Sequence, residues 1–238
     1  MTYKPVRLVF LIIFLISAVN SYSQFRPKQI NWTSDGTAIL SIKEGNIVKT
    51  DLKTNNQTIL VKREQLIPAG KEDPLSFDIY SFSPDYKMLL IFTNTAKVWR
   101  YHTRGDYWIL DLTSNQLTQL GKTLPSQSLM FAKISPDGKK AAYVSEHNLY
   151  VEDLLTHETK ALTVTGTRKF INGTFDWVYE EEFGCRDGFR WSPDSKKIAF
   201  WQVDATHIRD YYMLNTTDSV YSHVIPVEYP KVGDRKSV

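Results

Sequence analysis

Cysteine is almost absent from this chain, since Cys185 is the only one in 238 residues. A single thiol excludes an internal disulfide, so packing has to stabilise the fold. We expect the Cys185 side chain to be buried, because free cysteine is among the most buried residue types. The sequence also lacks a Gly-x-Ser-x-Gly pentapeptide, the turn that carries the nucleophile of α/β-hydrolases. We therefore predict no catalytic residue in these 238 residues.

Neither sign of charge dominates. The chain has 29 basic and 26 acidic residues, a formal net charge of +3, and they are scattered along its length. Without a basic stripe that could follow a phosphate backbone, nucleic acid is not an expected partner. The five histidines show no metal-ligand spacing with one another or with Cys185. We predict neither a metal nor a cofactor.

Long apolar runs are missing except at the start, where two basic residues precede the run 8–19. This run is too short for an ordinary membrane span, and the charged and apolar layout is typical of a signal peptide. Small residues at positions 21 and 23 suit signal peptidase, so we predict a signal peptide at 1–23. An uncleaved anchor is the alternative. In both cases the rest of the chain is expected to be exported, into the periplasm or the extracellular space.

A turn-and-strand pattern is repeated along the chain. An aromatic or aliphatic residue is followed by Ser or Thr, by Pro or Ser, and by Asp, starting at Trp32, Phe82, Ile134 and Trp191. The copies begin 50, 52 and 57 residues apart. Because Pro presets the backbone angle of a turn and Asp caps it, each copy predicts a tight turn that leads into a strand. An Asp-Leu pair before a polar turn, as at Asp51, recurs in the first three copies.

Repeats of about 40 to 50 residues with this order of turns and strands are typical of β-propeller blades. A β-sandwich is the alternative, but its strands do not recur with a fixed period. We predict an all-β fold with about four propeller blades in residues 24–238 and a short helical insertion. A propeller has to close to hide its sheet edges, and this sequence ends without a closing strand, so we expect it to be part of a longer protein.

The insertion separates the third and fourth copies and contains three consecutive glutamates, Glu180, Glu181 and Glu182. Asp176 is predicted to cap a short helix there. Adjacent helical positions point about 100° apart, so the three carboxylates cannot all face one solvent direction. Inward-facing carboxylates would bind an ammonium group, such as a peptide amino terminus, through charge-assisted hydrogen bonds. A solvated acidic helix start is the alternative.

The segment 176–182, Asp-Trp-Val-Tyr-Glu-Glu-Glu, resembles the double-glutamate motif of the dipeptidyl peptidase IV family. The resemblance is dense over 171–233 and weaker back to residue 30. In that family an eight-bladed propeller precedes an α/β-hydrolase domain, and the enzyme releases Xaa-Pro dipeptides from peptide amino termini. The resemblance implies that this chain is the amino-terminal propeller portion of a secreted serine dipeptidyl peptidase. The missing hydrolase domain would be its partner, and the chain alone would be inactive.

The resemblance also implies the substrate-binding residues. Glu181 and Glu182 would hold the substrate ammonium, with Glu180 as an outward-facing neighbour. The segment 97–101, Lys-Val-Trp-Arg-Tyr, resembles the stretch whose arginine reaches the peptide carbonyl, which makes Arg100 the third binding residue. A surface arginine at a strand end is the alternative. Segment 183–188 departs from the animal members of the family, so the resemblance does not describe the surroundings of the glutamates.

Two other functions fit the sequence. A stand-alone propeller would capture peptide amino termini without cleaving them, either closed on itself or paired with another chain, which leaves a homodimer open. A scaffold propeller that grips partner proteins through its rim would need only the repeat. The glutamate insertion argues against this last function.

Overall fold

The structure is a computed structural model that describes residues 30–217 and 220–238. The predicted signal peptide at 1–23 lies outside these residues. Within them, no helix has the length and apolar character needed to cross a membrane.

The first three repeats fold into antiparallel blades, because β-branched and aromatic residues fill the segments between the turns. Blade I contains β1 (Asn31–Trp32), β2 (Ala38–Lys43), β3 (Asn46–Asp51) and β4 (Gln57–Val61). A 3-10 helix follows at Arg63–Leu66. Blade II contains β5 (Phe77–Phe82), β6 (Met88–Val98), β7 (Tyr101–Asp111) and β8 (Gln116–Gln119). Blade III contains β9 (Leu129–Ile134), β10 (Lys140–Ser145), β11 (Asn148–Asp153) and β12 (Thr159–Ala161).

The fourth repeat forms separate two-stranded antiparallel sheets around the helical insertion. The helix, α1 (Trp177–Phe183), lies between β13 (Phe170–Asn172) and β14 (Phe189–Trp191). The later strands are β15 (Ile198–Phe200), β16 (Gln202–Asp204), β17 (Asp210–Asn215) and β18 (His223–Glu228). β13 pairs with β16, β14 with β15, and β17 with β18. The insertion is thus anchored by a strand on each side.

Blades II and III are buried on both faces, and this explains the apolar runs in β6 and β10. In β6, Leu89 and Ile91 pack in a cluster with residues of blade I, whereas Leu90 and Phe92 pack toward blade III. In β10 the alternate residues again divide between two clusters, one shared with blade II and one with Phe189 of the fourth repeat. Successive side chains of a strand point to opposite faces, so one strand serves two cores.

The repeated Ser-x-Asp turn has the same hydrogen bonds in every copy. In the third copy, Ser135 Oγ donates to Asp137 Oδ1 at 2.6 Å and accepts from the Lys140 amide at 3.0 Å. Equivalent bonds are made by Thr33, Ser83 and Ser192. These bonds lower the pKa of each turn aspartate, that of Asp35 to about 2. The motif therefore stabilises the turn that precedes a strand in each repeat.

The predicted architecture is confirmed. Over the part of the chain that the structure describes, the regular secondary structure is nearly all β, the repeats are propeller blades, and a short helix carries the glutamates. In the described residues the blades do not close into a ring, as expected for part of a propeller. Blades II and III are joined by a pairing of β7 with β9, at Arg104 with Met130 and Gly105 with Leu129.

Candidate functional site

Helix α1 is fixed at both ends by its own sequence. The Asp176 carboxylate accepts a hydrogen bond from the Tyr179 amide at 3.1 Å, which confirms the predicted N-cap. Gly184 ends the helix in the left-handed conformation, with φ of 68°, which is favourable for glycine. The centroid of the Trp177 ring lies 4.7 Å from that of Tyr229, just beyond β18. These contacts determine which carboxylates face the protein.

The three glutamates differ in exposure. The side chains of Glu180 and Glu181 are 5% and 8% exposed, whereas Glu182 is exposed. The prediction that Glu180 faces outward is therefore wrong. The reason is Arg186, which lies in the segment 183–188 that departs from the animal members of the family. Its Nε is 3.5 Å from Glu180 Oε1, so the arginine covers this carboxylate.

Burial has a clear effect on Glu180. It raises the pKa of that carboxyl to about 6, although the nearby Arg186 guanidinium lowers it and Glu181 raises it further. Glu180 Oε1, Glu181 Oε1 and Asp176 Oδ2 are buried and have no hydrogen-bond partner within the described chain. Buried acceptors of this kind are costly unless they are paired, so they favour a bound donor.

Arg100 reaches the helix from blade II. Strands β6 and β7, 11 residues each, form a hairpin, called here the long hairpin, with Trp99 and Arg100 at its turn. Arg100 Nε lies 2.5 Å from Glu181 Oε2. The structure thus brings together Arg100 and Glu181, two of the three predicted binding residues. The third, Glu182, is exposed on the same helix.

A cavity of about 570 Å³ lies where the long hairpin, blade III and α1 meet. Its lining includes Asp176 and Glu180, each with one carboxylate oxygen that has no hydrogen-bond partner among the described residues, together with Arg186 and two tryptophans, Trp99 and Trp177. On the blade III side it is lined by His147, and burial lowers the pKa of that imidazole. The cavity offers acceptors for a cation beside aromatic surfaces.

Two residues of this site were not singled out by sequence reasoning. The guanidinium of Arg186 lies over the Tyr101 ring, with Cζ 3.7 Å from the ring centre. Tyr101 ends the segment 97–101 and Arg186 lies in the segment 183–188, but neither residue was given a role, and only the tertiary fold brings them together. The expectation that Cys185 is buried is wrong, because this free thiol is partly exposed beside the end of α1. No group of three His, Cys, Asp or Glu residues in the described ranges could hold a metal ion.

Known proteins resemble this chain over most of its length. The family described as "Dipeptidyl peptidase IV (DPP IV) N-terminal region" matches residues 83–238. Dipeptidyl aminopeptidase B of Saccharomyces cerevisiae is 29% identical over 224 residues, which cover 88% of this chain and 26% of that protein. Dipeptidyl peptidase 4 of Trichophyton rubrum is 32% identical over 210 residues, which cover 86% and 26%. The crystal structure of Porphyromonas gingivalis dipeptidyl peptidase 4 matches with a TM-score of 0.78 at 25% identity, over 89% of this chain and 30% of that one.

The repeats, the shared cores and the glutamate helix define this chain as a portion of a β-propeller. It belongs to the dipeptidyl peptidase IV N-terminal region family. The chain spans only 26% to 30% of the length of the relatives named above.

Proposed function

We propose that this chain is the substrate-recognition propeller of a secreted serine dipeptidyl peptidase. In this proposal Glu181 and Glu182 bind the substrate ammonium, and Arg100 binds the peptide carbonyl near the amino end. The main support is the Arg100–Glu181 contact, which brings two separate motifs together. The chain neighbours of the pair, Trp99 and Glu180, line the cavity. Glu181 Oε1 is buried and has no hydrogen-bond partner in ranges 30–217 and 220–238, which leaves an acceptor for a charge-assisted hydrogen bond.

Recognition of this kind would define the length of the product. Carboxylates that fix the amino terminus hold the peptide in one register, and a nucleophile at a set distance then reaches only one peptide bond. The 238 residues contain no nucleophile elbow, so cleavage would depend on a hydrolase domain of the longer protein. This chain alone would bind peptides without cleaving them.

The test is a comparison of two peptides. The 238-residue chain should bind an Ala-Pro peptide with a free amino terminus and should bind the same peptide poorly once that amine is acetylated, as measured by isothermal titration calorimetry. Equal binding of both peptides would reject amino-terminus recognition. Sequencing of the DNA downstream then separates a peptidase portion from a stand-alone peptide-binding propeller. A hydrolase reading frame supports the former and an unrelated gene supports the latter.

A further inference from the structure

We propose that Arg186 is a positioning residue that holds the tip of the long hairpin against α1 and so sets the geometry of Arg100 and Glu181. Its effect on peptide binding rests on the function proposed above. Its effect on the hairpin does not, and can be measured without any peptide.

Arg186 contacts both the long hairpin and α1. Each contact is made to the residue next to a member of the Arg100–Glu181 pair. Its Cζ is 3.7 Å from the centre of the Tyr101 ring, and Tyr101 directly follows Arg100. Its Nε is 3.5 Å from Glu180 Oε1, and Glu180 directly precedes Glu181. A single guanidinium therefore links the hairpin turn to the helix.

Arg100 is not well suited to hold this geometry itself. Its side chain is 76% exposed, and its ion pair with Glu181 is the one that it makes within the described residues. Ion pairs with an exposed partner contribute little, because water screens them and the long side chain loses entropy. The Arg186 side chain is only 26% exposed, and a guanidinium over an aromatic face is held more strongly as water is removed.

Arg186 also compensates the buried carboxylate of Glu180. The two charged atoms are buried at 3.5 Å without forming a hydrogen bond, so the attraction is electrostatic. A lysine at this position would keep the charge but lose the planar stacking on Tyr101, whereas a leucine would lose both. Comparing the two variants separates stacking from charge.

The experiment follows amide hydrogen exchange of residues 98–102 in the whole chain by mass spectrometry. We expect Arg186→Leu and Arg186→Lys to accelerate exchange there about three- to tenfold, because the tip opens more often once the stacking is lost. The matched control is Arg190→Gln, which removes an arginine that pairs with Asp187. Unchanged exchange in both Arg186 variants would overturn the proposal. So would an equal acceleration in Arg190→Gln.

A second measurement connects the hairpin to peptide binding. Arg186→Lys should weaken binding of the free Ala-Pro peptide in the natural chain and have little effect in an Arg100→Gln background, since a positioning residue acts through its target. Equal losses in both backgrounds would reject the positioning role. If the natural chain does not discriminate against the acetylated peptide, the proposed function fails, while the exchange result still decides what Arg186 does to the hairpin.

Discussion

Arg100 and Glu181 come from different blades of the propeller, yet Arg100 Nε lies 2.5 Å from Glu181 Oε2. The contact uses one carboxylate oxygen and leaves the other, Oε1, buried without a hydrogen-bond partner among the residues that the structure describes. Glu181 thus holds the arginine with one oxygen, and in the proposed function the other oxygen accepts from the substrate ammonium. Of the three consecutive carboxylates, this is the one that connects the helix to blade II.

We predict that Glu181→Gln weakens binding of the free Ala-Pro peptide about 10- to 100-fold, the range expected when a hydrogen bond to a charged group worth about 1.5–3 kcal/mol is lost. The substitution removes the charge that attracts both the ammonium and Arg100. Calorimetric titration of the peptide into each variant measures the change.

Glu158→Gln is the matched control, because Glu158 is exposed in a turn of blade III away from α1. It should leave the affinity unchanged. If Glu181→Gln binds as tightly as this control, Glu181 is not part of the peptide site.

Most of the fold could be predicted from the sequence because it depends on local patterns. The hydrogen bonds of each Ser-x-Asp turn join residues at most five positions apart, so the turn at Ser135 and Asp137 forms independently of the tertiary fold. The same holds for the helix insertion, since Asp176 caps α1 through the amide of Tyr179, three residues on. The apolar strands then have to be buried on both faces, which favours a propeller.

The site was predicted less completely, because its contacts are non-local. Nothing in the sequence near Glu180 indicates that Arg186 will cover it, since this depends on how the chain returns after Gly184. The same limit applies to the stacking of Arg186 on Tyr101, which joins an insertion to a hairpin of another blade. The angle of about 100° between adjacent helical positions shows that the three carboxylates cannot all face the solvent. Which of them is buried is decided only by the tertiary packing.

Glu180 should make the protein less stable as the pH rises, the opposite of what is usual for a carboxyl group. Its pKa is raised from an ordinary 4.5 to about 6, so the fold disfavours the ionised carboxylate. The destabilisation is complete above pH 6 and disappears as the pH falls to 4.5. We expect Glu180→Gln to melt at a higher temperature than the natural chain above pH 6, with a difference that shrinks toward pH 4.5.

Asp194→Asn should change the melting temperature in the opposite direction to Glu180→Gln. The hydroxyl of Ser192 holds the pKa of the Asp194 carboxyl below its ordinary 3.8, so the ionised form stabilises the fold above that pH. This variant should melt at a lower temperature at neutral pH, and its deficit should shrink as the pH falls below 3.8. Melting differences that do not change with pH would contradict both assignments.

The turn serines should differ in importance according to their burial. Ser135 is completely buried, whereas Ser192 makes the same two hydrogen bonds in a more exposed turn. Ser135→Ala removes a fully buried hydroxyl together with two part-buried hydrogen bonds, and we expect it to cost about 1–3 kcal/mol of unfolding free energy. Ser192→Ala should cost about 1 kcal/mol or less, since water replaces the lost bonds. Urea denaturation of the two variants measures this, and equal costs would show that burial of the turn is not the deciding factor.

Gly173 lets the chain pass close to blade III between β13 and α1. This residue has φ of 79°, and an added Cβ would lie 2.7 Å from Val144 Cγ2 of blade III. Gly36 has a similar φ of 66° but open space around it, so Gly36→Ala reports the backbone strain alone. We expect Gly36→Ala to lower the free energy of unfolding by about 1 kcal/mol, and Gly173→Ala to lower it by about 1–3 kcal/mol more, in urea denaturation.

Because Gly173 lies between β13 and α1, its substitution should also weaken binding of the free Ala-Pro peptide, whereas Gly36→Ala should not. Similar costs for the two variants would mean that blade III yields to the added methyl group and does not hold the insertion in place.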